Sequence, residues 1–146
     1  MSRMLTWISL VFLSGLGSLM QAAEPASVLH YSKPAVRKEI AGVVEAQLEA
    51  FRTRDFEGAY SWAASPLRER FTLQMFAAMI ARGYPLILRH DRTELGLPMD
   101  DGVRAVLSVR LWAKGESVVY RYTLLKEAAG WRVSGVTPER EKDSDA

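Results

Sequence analysis

From Val36 onward the apolar residues recur at the spacing of one helical face: Val36, Ile40, Val43, Val44, Leu48 and Phe51. The pattern predicts a helix capped by Ser32, with Pro34 in its first turn and an end near Arg54. Asp55 is placed to cap a second, short helix carrying Phe56, Ala59, Tyr60 and Ala63. Ser65-Pro66 opens a further turn that ends near Phe71. Thr72 then caps a third helix with Leu73, Phe76, Met79 and Ile80 on one face, and Gly83 followed by Pro85 supplies its stop.

The period then changes. Val103, Ala105, Leu107, Val109 and Leu111 alternate with Arg104, Val106, Ser108, Arg110 and Trp112, as in a strand with two unequal faces. Lys114-Gly115 serves as a two-residue hairpin loop, which sets Leu111 opposite Val118, Val109 opposite Tyr120, Leu107 opposite Tyr122 and Ala105 opposite Leu124. A slip of one position would turn Arg121 and Thr123 onto the core face, so the pattern favours this register. A turn at Glu127-Ala-Ala-Gly130 leads to a last strand through Trp131, Val133 and Val136, with Lys126 opposite Trp131. Residues 86–97 are expected to add one or two strands before a turn at Asp100-Asp101-Gly102.

Helices first and then an antiparallel meander with one apolar face predict an α+β domain: three N-terminal helices packed on a curved antiparallel sheet, enclosing a conical cavity. The runs Val44-Glu-Ala-Gln-Leu-Glu-Ala-Phe-Arg52, Asp55-Phe-Glu-Gly-Ala-Tyr60, Phe76-Ala-Ala-Met-Ile80, Gly83-Tyr-Pro85 and Gly130-Trp-Arg-Val-Ser-Gly-Val136 resemble an uncharacterised bacterial family, domain of unknown function 4864. That family looks like a branch of the nuclear transport factor 2-like superfamily, with its cystatin-like cone. The resemblance implies the same cone and no assigned reaction, because this superfamily hosts enzymes, binding modules and accessory domains.

The ends change where the domain is expected to work. Arg3 is followed by an apolar run from Leu5 to Leu19 and by small residues around Ala22 and Ala23, the order of a cleaved export signal over residues 1–23. The apolar run is too short for a stable membrane anchor. Residues 24–33 read as a linker, 34–137 as the single domain, and 138–146 as a charged, solvated tail. The expected address is periplasmic or secreted. With no cysteine, the fold has no disulfide framework, no lipid attachment and no thiol chemistry. The formal charge of +2 falls by one when Arg3 leaves, which gives nucleic-acid binding no support.

Chemistry is sparse. On the expected core face the polar groups able to line the cone are Gln47, Tyr60, Tyr120 and Tyr122, and no carboxylate or histidine stands among them. A proton-transferring enzyme on this frame needs such a base. Only the stretch with His90, Asp91 and Glu94 is placed to send one in, while His30 falls in the linker. Two histidines without ligand spacing predict no metal site, no nucleophile elbow or phosphate loop is present, and no cofactor is expected. The outward sheet face carries Arg110, Trp112 and Arg121, a composition typical of contact surfaces and suited to pairing of two copies. Three readings stand: a non-catalytic domain that binds a small apolar or aromatic ligand or a protein partner; an isomerase or lyase working in the cone; and a structural domain whose cone is filled.

Overall fold

A computed structural model of the chain describes residues 28–139. The expected export signal and most of the charged tail lie outside the described residues. A short strand, β1 (His30–Tyr31), precedes helix α1 (Pro34–Arg52), whose buried stripe of Ile40, Val43, Val44, Gln47, Leu48 and Phe51 is the expected one. Four shorter helices follow: α2 (Phe56–Ser61), α3 (Ser65–Arg70), α4 (Leu73–Gly83) and α5 (Pro85–Arg89). Among the described residues, none of the five is long and apolar enough to cross a membrane.

The expectation of three helices is thus corrected to five in the described part. The turn at Ser65-Pro66 is a helix in its own right, and residues 85–89, expected to begin a strand, form α5. Pro85 sets a helical φ at the first position of α5, and the apolar run Leu86-Ile-Leu88 suits a buried helix turn as well as a strand. Asp55 and Thr72 cap α2 and α4 as expected, accepting from the Gly58 and Met75 N–H groups at 2.9 and 3.2 Å. Ser32 caps nothing. Lys33 is the N-cap of α1 and makes no side-chain cap bond, while Ser32 is buried and donates its hydroxyl hydrogen bond to Asp100.

Strands β2 (Arg92–Leu95), β3 (Met99–Asp100), β4 (Arg104–Ala113), β5 (Glu116–Glu127) and β6 (Gly130–Pro138) join β1 in one open antiparallel sheet of order β1-β3-β4-β5-β6, with β2 also on β4. The β4–β5 register is the expected one at all four pairs, from Ala105 opposite Leu124 to Leu111 opposite Val118. Lys114 and Gly115 turn the hairpin with φ of 48° and 82°, left-handed values that fit a two-residue loop to the twist of its strands.

Lys126 faces Trp131 as expected, but the register shifts at Thr123/Leu124, where β6 carries one extra residue, Ser134. There Thr123 Oγ1 accepts from Ser134 Oγ at 3.1 Å and donates to Gly135 O at 3.4 Å. A Cβ on Gly135 would stand 2.9 Å from that same hydroxyl, so the bulge is built on glycine.

Both ends of the expected domain move outward. His30 and Tyr31, expected in a linker, pair with Asp100 and Met99, and the Ser32 N–H donates to Pro98 O at 3.0 Å. Pro138, expected in the tail, ends β6 opposite Tyr120, and the Glu139 N–H donates to Val119 O at 2.8 Å. The helices cover the face of the sheet that presents Ala105, Leu107, Val109, Leu111, Tyr120, Tyr122, Leu124, Trp131 and Val133, and the core lies between them.

Candidate ligand pocket

Gln47 sits on the α1 stripe between Val44 and Leu48, so helical periodicity alone turns its amide toward the core, where the residue is 2% exposed. Its Nε2 donates to Ala59 O of α2 at 3.1 Å. That bond fixes which way the amide points, since the flipped form would set two acceptors against each other. Oε1 is left with no hydrogen-bond partner among the described residues, and Gln47 belongs to the wall of a cavity of about 160 Å³.

The rest of that wall is almost entirely apolar. Phe51, Phe76, Ile80 and Ile87 form its buried floor, with Phe51 and Phe76 stacked at 5.6 Å between ring centroids. Val133, Gly135 and Val136 close one side, at the bulge of β6. Leu67 of α3, Phe71, Met79 of α4 and Val136 are half-buried and frame the mouth.

Two tyrosines hold the frame through their hydroxyls. Tyr60 donates to Phe71 O at 2.5 Å, with Arg68 O at 3.0 Å, and its ring meets Phe76 edge-on at 5.3 Å. Tyr84 lines the pocket and donates to Val136 O at 2.9 Å, tying the end of α4 to β6.

Of the four residues expected to line the cone, Gln47 is in the wall and Tyr60 braces it from behind. Tyr120 and Tyr122 are buried in the core beside it. Burial, and then the neighbouring Tyr84, pushes the Tyr120 phenol above its ordinary range; burial, and then Tyr120 and Tyr84, pushes the Tyr122 phenol up much further. Neither is a base near neutral pH. Apart from Gln47, no wall residue was expected to line the cone, although Phe51, Phe76, Met79, Ile80, Val133 and Val136 were placed on their elements; Leu67, Phe71 and Tyr84 join them from stretches read as turns between helices. Their only signal was the apolar spacing around the Ser65-Pro66 turn and the Gly83-Tyr-Pro85 stop.

The stretch expected to offer a base goes elsewhere. His90 is buried and its Nδ1–H donates to Ile87 O at 2.8 Å; a carbonyl can only accept, so Nδ1 carries the proton. It lines a separate polar cleft of about 350 Å³ with Glu45, Glu49, Arg52, Asp91, Arg92 and Thr93. In that cleft the hydrogen-bonded Arg52 guanidinium, 2.6 Å away, holds the Glu49 carboxyl below its ordinary range. Glu94 is exposed on β2 opposite Arg110. Among the described residues no group of three His, Asp or Glu side chains is arranged to hold a metal ion.

On the outward sheet face Trp112 is half-buried beneath the Arg92 guanidinium, 3.7 Å from the ring centroid, with Arg110 at 5.8 Å. Arg110 also donates to Ser117 Oγ at 3.0 Å, and Arg121 is exposed opposite Ser108.

No curated protein and no solved structure matches the chain. The family model described as Domain of unknown function (DUF4864) matches residues 33–146, a span that contains every residue of the pocket wall, and the chain belongs to that family.

Proposed function

We propose that this chain is an exported, non-catalytic domain that holds a small apolar or aromatic ligand in the pocket at Gln47. The observation that carries the reading is the unpaired Oε1 of a side chain that is otherwise buried in an apolar wall. Leucine on the same stripe would fill the position without bringing a polar atom that needs a partner. The cavity supports the same reading, because packed interiors leave few voids larger than a water molecule, and an apolar cavity of about 150 Å³ is known to take up benzene.

The non-catalytic part rests on placement. Tyr84 is the only titratable group in the wall, and its hydroxyl is engaged with Val136 O. The acids and the histidine that could move a proton line the cleft on the other side of α1. Export rests on the order of residues 1–23.

The test is a titration of fluorobenzene into the purified protein, followed by fluorine NMR. Saturable binding is expected, and it is expected to vanish in Val136→Trp, which plugs the mouth. Leu67→Trp plugs it from the other side should the first variant misfold. Binding that does not saturate in the unaltered protein would refute the proposal.

A further inference from the structure

The polar inventory of the pocket points to one class of ligand. Each backbone carbonyl named at its rim already accepts a hydrogen bond: Val136 O from Tyr84, Gly135 O from Thr123 and Phe71 O from Tyr60. The Gln47 amide uses one of its two Nε2–H donors on Ala59 O. What the Gln47 amide still offers is the acceptor Oε1 and its second Nε2–H, with aromatic rings and aliphatic chains around it. A carboxylate would leave water for a wall that holds no cation. An ammonium would leave water for a wall that holds no carboxylate. A purely apolar ring would fill the space and leave Oε1 unpaired.

We infer that the natural ligand is a neutral single-ring aromatic carrying one hydrogen-bond donor, of the phenol class, with its ring between Phe51, Phe76 and Val133 and its hydroxyl donating to Gln47 Oε1. The volume of about 160 Å³ admits one such ring. This inference rests on the pocket being a ligand site and adds the chemistry of the ligand.

Calorimetric titration of the purified protein with phenol, toluene and benzoate separates the two. The unaltered protein is expected to bind phenol at least as tightly as toluene, and benzoate not at all. In Gln47→Leu the phenol hydroxyl is left unpaired, and the ratio of phenol to toluene affinity is expected to fall by about tenfold or more. Toluene bound tighter than phenol by the unaltered protein, with that ratio unchanged in Gln47→Leu, would overturn the phenol assignment and leave the ligand site standing. Failure of both phenol and toluene to bind would overturn the assignment together with the reading beneath it. The comparison of ligands on the unaltered protein decides even if Gln47→Leu does not fold.

Discussion

Tyr122 and Gln47 present the same physical problem, a polar group on the core face, and meet it differently. The Gln47 amide gives one N–H to Ala59 O and lies in the wall of a cavity. The Tyr122 hydroxyl is buried among apolar groups with no partner. Removing it in Tyr122→Phe keeps the ring packing and deletes an unsatisfied group, so a gain of about 1 kcal/mol in urea unfolding is expected.

The same residue sets an alkaline limit. Burial raises its phenol pKa in the folded state above the unfolded value near 10. Below that pH both states hold the proton; above it the unfolded chain releases the proton first, so stability falls as pH rises. Tyr120 acts in the same direction. The stability difference between about pH 8 and about pH 11 is therefore expected to shrink in Tyr122→Phe, and an unchanged difference would show that this phenol ionises as freely as an exposed one. From the sequence, the side of the helix or strand each group occupies was legible, because it follows from period. Which of them meets an open space was not, because that depends on where neighbouring elements stop.

At the scale of elements, the pocket mouth depends on a short helix held from a distance. α3 opens at Ser65, whose N–H and hydroxyl both donate to the Glu127 carboxylate on β5, at 2.8 and 3.1 Å. No residue of α3 caps its own N-terminus. Glu127→Ala is expected to cost about 1 kcal/mol, the usual worth of a helix cap, and to weaken fluorobenzene binding through the freed Leu67 and Phe71, with Glu127→Gln milder in both. Measured stability and affinity that both match the unaltered protein would show that α3 is held by packing alone.

This tie joins residues far apart in the chain, so no local pattern announces it. The same holds for β1, a two-residue strand fixed by Ser32, Pro98 and Asp100, and for α5, where a short apolar run carries no period to tell helix from strand. The long β4–β5 hairpin was legible because one slip would bury Arg121; the bulge at Ser134 was not, since it arises from hydroxyl contacts across the strands.

At the scale of the molecule, helices cover one face of an open sheet and leave the other outward. That outward face is proposed to pair two copies through Arg110, Trp112 and Arg121. Equilibrium sedimentation is expected to show a dimer that Trp112→Ala and Arg110→Glu each weaken, and a monomer at every concentration would remove the pairing. The proposed pairing would be independent of the pocket, which lies on the helical side between α1, α4 and β6. The α+β class followed from the order of periods along the chain, and one of the pocket residues, Gln47, was named on that basis. The remainder of the site is made where α3, α4 and the bulged strand converge, a geometry that long-range packing decides.

The ligand reading meets its most direct test in a crystal structure of the protein grown with phenol. The expected result is one ring seated between Phe51, Phe76 and Val133, its oxygen about 2.7–2.8 Å from Gln47 Oε1, the ordinary O–H···O distance. A pocket closed by its own side chains, with no ring density at saturating phenol, would contradict it.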